Sequence, residues 1–164
     1  MKGQAVISRD LHRFARMNLP KELEAAIRGG VDVNAKDQFG STALHYAIVE
    51  KHVGIVSLLL ANGADPAAQD GDGKTPLHYA IEYNLPSVAE DLLEHDQTIV
   101  SIADKFGNEP LWSAAFNSRG NYDLVNLLLR YGADPRHRNH SNLTPLDIPK
   151  RKRDDALLRL LQSR

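Results

Sequence analysis

The run Asp70-Gly71-Asp72-Gly73-Lys74-Thr75-Pro76-Leu77-His78-Tyr79-Ala80 decides the fold. Its first four residues are turn chemistry. Gly71 and Gly73 can take positive φ, and Asp70 and Asp72 can accept from nearby backbone amides. Thr75 suits a helix N-cap, where its hydroxyl can accept from an unpaired amide. Pro76 follows at the first helical position, where its missing donor costs nothing. Leu77 and Ala80 open an apolar stripe at helical spacing. A tight turn therefore leads straight into a capped helix.

The unit recurs. Asp37 opens Asp-Gln-Phe-Gly-Ser-Thr-Ala-Leu-His-Tyr-Ala, and Asp104 opens Asp-Lys-Phe-Gly-Asn-Glu-Pro-Leu-Trp-Ser-Ala. Asn139 opens a weaker copy with Thr144, Pro145 and Leu146. Equivalent leucines fall at Leu11, Leu44, Leu77, Leu111 and Leu146, in steps of 33, 33, 34 and 35 residues. The second halves match as well. Ile55 to Asp65 reads Ile-Val-Ser-Leu-Leu-Leu-Ala-Asn-Gly-Ala-Asp, and Leu124 to Asp134 reads Leu-Val-Asn-Leu-Leu-Leu-Arg-Tyr-Gly-Ala-Asp. A period near 33 with Thr-Pro-Leu-His resembles the ankyrin repeat. The resemblance covers about residues 8 to 164.

The expected fold is all-α: an ankyrin-repeat solenoid of stacked helix-turn-helix units with hairpin-like loops. One domain, 8–164, divides into repeats at about 8–36, 37–69, 70–103, 104–138 and 139–164. Residues 1–7 read as a short tail. In the first repeat Arg9, Arg13 and Arg16 fall on a helix with no upstream neighbour, as suits a cap facing water. Pro20 can start its second helix, Leu23, Ala26 and Ile27 form the stripe, and Gly29-Gly30 end it. In the second repeat, helices run about Thr42 to Glu50 and Gly54 to Ala61, with Ile55, Val56, Leu59 and Leu60 packing inward and Gly63 as the stop. The third repeat ends on Glu-His-Asp-Gln-Thr at 94–98, without the usual glycine at 96, so its exit is irregular. The fourth carries two extra residues around 117–121, with Trp112 in place of the histidine and Glu109 in place of the threonine cap. In the last, Leu157, Leu158, Leu160 and Leu161 supply the stripe, and Arg159, Gln162 and Arg164 face solvent. The segments near Asp96–Ser101 and Ser118 are expected to be the least protected internal ones.

Net charge is −1, which argues against a broad nucleic-acid or anionic-membrane surface. With no cysteine, disulfides, thiolate catalysis and cysteine-ligated zinc are excluded. Met1 to Asp10 lacks the apolar core of a signal peptide, and no run approaches the ~20 apolar residues of a membrane span. A cytoplasmic location is the expectation, with no nucleic acid or membrane partner and a monomeric state.

Candidate chemistry is sparse. His45 and His78 could be imagined as a metal pair, but in the ankyrin family this histidine bonds backbone and neighbouring repeats, and His12 falls in register with them. His137 and His140 with Arg136 and Arg138 make a cationic loop tip, read as solvated, since a third metal ligand is missing. Lys150-Arg151-Lys152-Arg153 reads either as a solvated cap between the last helices or as a nuclear-import or nucleic-acid patch. Asp70, Asp72 and Gly73 faintly match a calcium loop, but Ile81 stands where its closing glutamate belongs. No nucleophile, base and orienter set, P-loop or dinucleotide fingerprint is present, so no catalytic residue, metal or cofactor is expected.

The resemblance implies a non-catalytic protein-interaction module, binding through its concave loop and inner-helix face. An inhibitor or immunity-type protein is one form of this; an adaptor or secreted effector that recruits a cellular protein is the alternative. By that resemblance the partner-binding residues are Gln38, Phe39 and Ser41 on one tip, Asp72 and Lys74 on the next (beside Gly71), and Lys105, Phe106 and Asn108 on the third. Val49, Glu50, Glu82, Tyr83, Phe116 and Asn117 add helix positions. Phenylalanines at tips are the informative feature, because turns usually carry polar residues. Two readings of these rings stand: they meet a partner, or they fold back onto the adjacent tip.

Overall fold

A computed structural model describes residues 10–163, which are helices and turns with no strand among them. The expected tail at 1–7, Arg9 and Arg164 lie outside the described residues. The inner row of helices is α1 (10–16), α3 (Ala43–Val49), α5 (Pro76–Glu82), α7 (Pro110–Asn117) and α9 (Asp147–Lys152). The outer row is α2 (Pro20–Arg28), α4 (Val53–Ala61), α6 (Pro86–His95), α8 (Asp123–Arg130) and α10 (Asp155–Gln162). Each inner helix from α3 onward packs on the next inner one, and α2, α4, α6 and α8 stack likewise. The core therefore runs the length of the stack, and every repeat buries its leucines on two neighbours. Leu44, Leu77 and Leu111 are fully buried, as are Ile55, Val56 and Leu59, with Leu60 nearly so. Each such leucine contributes about 1.5–3 kcal/mol. At the first end, Arg13 and Arg16 are exposed as expected of a cap. At the other end Leu157 and Leu161 are buried, Leu158 and Leu160 half-buried, and Arg159 and Gln162 exposed.

The turn at Asp70 shows how the tips are built. One carboxylate oxygen of Asp70 accepts from the amides of Asp72 and Lys74, both at 2.9 Å. The other accepts from the Tyr79 hydroxyl at 2.6 Å. Asp37, Asp104 and Asn139 take the same two amides in their own turns. Gly73 is left-handed at φ 74°, a conformation glycine adopts without strain. Gly71 is not, contrary to expectation. It is small for a different reason: a Cβ there would stand 2.9 Å from the Phe39 carbonyl oxygen. Its amide donates to that oxygen at 2.7 Å. The next tips repeat the bond, Lys105 amide to Asp72 carbonyl at 2.9 Å and His140 amide to Phe106 carbonyl at 3.0 Å. Asp72 also departs from its expected role: its carboxylate takes the Lys105 ammonium of the next tip at 2.6 Å.

Inside the stack the histidines act as pins. His78 Nδ1 accepts from the Thr75 amide at 3.1 Å and hydroxyl at 2.9 Å, closing a capping box at the start of α5. That leaves the proton on Nε2, which donates to the Asn108 carbonyl of the following repeat at 3.2 Å. His45 does the same with Thr42 and the Lys74 carbonyl. His12 Nε2 lies 3.1 Å from the Ser41 carbonyl, in the same register. Every ring nitrogen of His45 and His78 is thus consumed by the scaffold, and burial pushes both pKa values down.

Two irregular places resolve differently. Asp96 lacks the left-handed conformation found at Gly30, Gly63 and Gly132. It instead caps a 3₁₀ turn, Gln97–Ser101, accepting from the Thr98 amide at 2.9 Å, and Ile99 and Val100 join the core. A capped turn anchored by two buried side chains is a poorer place for local opening than an uncapped loop, which weakens the expectation for 96–101. The insertion at 118–121 keeps it. There the chain turns through Arg119 and Gly120, both at positive φ, with one backbone bond from Asn121 to Ser118. Amide exchange should be fastest at 119–121 among internal segments of the described chain. Exchange there as slow as along Ile55–Leu60 would contradict this.

Candidate protein-binding surface

None of the fourteen expected contact residues is buried. Gln38, Phe39, Glu50, Asp72, Glu82, Tyr83, Lys105, Phe106, Phe116 and Asn117 are exposed, and Ser41, Val49, Lys74 and Asn108 are half-buried. Phe39 is 62% and Phe106 57% exposed, so neither ring folds back onto the adjacent tip. The tip turns explain why. Each phenylalanine follows the turn's aspartate by two residues, its amide held by that carboxylate and its carbonyl by the next tip. The backbone is fixed and the side chain projects.

Charges on this face are mostly paired within it. Lys74 meets Glu82 at 2.5 Å and Lys105 meets Asp72 at 2.6 Å. The Lys105 ammonium holds the Asp72 carboxyl below the ordinary carboxylate range, chiefly through that hydrogen bond. Glu50 faces Arg16 at 3.7 Å. Lysines also lie over rings, Lys105 over Phe106 at 5.1 Å and Lys51 over Tyr83 at 5.8 Å. Asn108 also has a part in the scaffold: its amide oxygen accepts from Asn139 at 2.8 Å, stitching two tips together.

Two shallow hollows lie along the face. One, about 470 Å³, runs between the first two tips and is lined by Phe39, Ser41, Asp72 and Tyr79 among others. The other, about 400 Å³, runs from Phe106 past Trp112 to Phe116 and Asn117, with Lys74 and Glu82 on its far wall. Each hollow brings tip residues together with inner-helix side chains.

In the tip holding His137 and His140, Arg136, Arg138 and His140 are exposed, as expected from sequence, but His137 is half-buried and turned inward. His137 sets Nδ1 3.1 Å from the Glu109 carboxylate and Nε2 3.1 Å from the Gly107 carbonyl. Glu109 is nearly buried; burial pushes its carboxyl up, and the facing histidine pulls it partly back. The His140 ring lies close over Gly107. The basic run is exposed at the turn between the last helices, as the solvated-cap reading expected: Lys150, Arg151 and Lys152 form the last turn of α9, where cations suit the helix dipole, and Arg153 is its left-handed cap. Sequence reasoning did not see that this turn faces Trp112 and Phe116; spacing alone carries no signal for it.

Comparison with known proteins agrees with this architecture. A family model described as ankyrin repeats in three copies matches residues 11–103 and 69–139. Mitochondrial disaggregase of Bos taurus is 30% identical over 163 residues, 93% of this chain and 22% of that protein. Neurogenic locus notch homolog protein 1 of Mus musculus is 33% identical over 83% of this chain and 5% of its own length. Alpha-latrotoxin-Lg1a of Latrodectus geometricus is 28% identical over 84% of this chain and 10% of its own length. The chain therefore spans less than a quarter of each of these relatives. The repeat period, the stacked helix pairs and the family match lead to one conclusion: the chain belongs to the ankyrin-repeat family.

Proposed function

We propose that the chain binds a protein partner across its tips and inner helices, as a cytoplasmic monomer, and that binding alone is its function. In this reading it acts as an inhibitor or immunity-type protein that occludes its partner, without chemistry of its own. The observation that carries it is the pair Phe39 and Phe106, more than half exposed on backbones that are themselves pinned. An exposed aromatic on a fixed support, with a lysine at hand, has the makeup of an interface hot spot. Nucleic acid and membrane are not the proposed partners. The adaptor or effector reading uses the same face. It is favoured by the small share of each relative that these repeats occupy, which means they serve there as parts of larger proteins.

Affinity capture with the intact chain tests the proposal. Phe39→Ala and Phe106→Ala should each weaken binding of a captured protein by about 1–3 kcal/mol with little change in melting. Loss of fold in both variants with binding intact would assign the rings to the scaffold instead. Blocked activity of the captured partner favours inhibition; a third protein in the complex favours recruitment.

A further inference from the structure

The C-terminal end of the face carries a second feature. Trp112 and Phe116 are four residues apart on α7 and so share one side of that helix. They stand as a ridge. On one flank is the hollow that reaches Phe106. On the other is a separate cleft of about 140 Å³ between α7 and α9, whose opposite wall is Ile148, Arg151 and Lys152. An apolar cavity of roughly 150 Å³ takes up one benzene molecule, so this cleft has the size of a single side chain. Phe116 is 57% exposed. Lys152 lies 4.7 Å over its ring and donates to its carbonyl oxygen.

The charge around the cleft is one-sided. Its one lining carboxylate, Asp147, already accepts from the Thr144 amide and hydroxyl at 2.9 Å and lies 3.4 Å from Lys150. Asp154 is engaged with the Leu157 amide and the Tyr122 hydroxyl. Among the described residues, Lys150 to Asp147 is the only ion pair the run 150–153 makes. Arg151 and Lys152 thus present positive charge beside an apolar slot.

We propose that this cleft is a subsite for an acidic segment of the partner protein. One apolar side chain of that segment seats between Trp112, Phe116 and Ile148, and its neighbouring carboxylates lie against Arg151 and Lys152. The proposal rests on the protein-binding reading above and names the chemistry of one stretch of the partner. A nucleic acid fits less well: its affinity comes from neutralising many phosphates, and the few cations beside this slot, with Lys152 already bonded to the Phe116 carbonyl, offer little.

Trp112 is the single tryptophan, so its emission reports on the cleft directly. The test selects a random peptide library against the intact chain and titrates the best synthetic peptide. Enriched peptides should pair acidic residues with a leucine or aromatic, and should shift or quench Trp112 emission. The same peptide with lysine for each acid should not. Arg151→Glu and Lys152→Glu, both at exposed positions, should weaken the acidic peptide by about tenfold or more, and added salt should weaken it too. Peptides enriched without acidic residues, no enrichment at all, or a single-stranded oligonucleotide that outcompetes the acidic peptide would each overturn the subsite. So would acidic peptides lost on Phe39→Ala or Phe106→Ala but unaffected at Arg151. That last outcome would leave the broader protein-binding reading standing, which partner capture decides separately.

Discussion

Leu77→Ala is expected to destabilise the chain by about 2–5 kcal/mol. Leu77 is fully buried in α5, the middle inner helix, which packs on α3, α6 and α7 at once. A cavity there has little room to collapse. The helix is fixed at its start by the Thr75–His78 capping box and tied to the next repeat through Asn108. Domains of this size have total stabilities of about 5–15 kcal/mol, so the loss would be a large share of the whole. Urea unfolding should show a lower midpoint with an unchanged slope. A loss below about 1 kcal/mol would mean that the neighbours relax into the space and that the repeats are coupled less rigidly than their bonds imply.

Acid should weaken the fold well before its carboxylates titrate. His45 and His78 are buried and neutral, each with Nδ1 accepting from threonine and Nε2 donating to a carbonyl. Burial lowers both folded pKa values below the ordinary 6.5, while the unfolded chain keeps histidines near it. As pH falls below 6.5 the unfolded state takes up protons first, so stability present above that pH is lost down to the depressed folded values. Each histidine can add a slope of up to about 1.4 kcal/mol per pH unit, or roughly 3 for the pair. Glu109 works in the opposite sense, since burial raises its pKa and so favours the fold as pH drops. Urea unfolding from pH 7 to pH 5 measures the loss. A double variant, His45→Gln with His78→Gln, should flatten the profile; an unchanged slope would place the acid sensitivity elsewhere.

What was legible in the sequence was local. Thr75 and Pro76 announce a helix start because cap and first-turn proline act on adjacent residues, whereas the capping box that His78 completes was not read from the sequence. Gly73 announces its turn because positive φ is a property of one residue. Gly71 and Asp72 were misread because their roles belong to the adjoining tips: one leaves room for the Phe39 carbonyl, the other pairs with Lys105. His137 was misread for the same reason, since its carboxylate partner Glu109 lies 28 residues earlier. For the surface, the repeat register picked out positions that do face solvent, but it could not choose between exposed and folded-back phenylalanine rings. The cleft by α9 was invisible. It exists because a tryptophan replaces a pinning histidine opposite a short, basic final inner helix.

The tip-to-tip amide bonds separate two duties that most surfaces combine. At Phe39 and Phe106 the main chain joins the repeats through its carbonyl, so the side chain there is left with little structural work. The backbone is already ordered before any partner arrives, and association forfeits little conformational freedom. Such positions can therefore change their chemistry over evolutionary time without unfolding the stack, one tip at a time. The same lattice can acquire a new specificity through side chains alone, while its spacing from tip to tip stays constant.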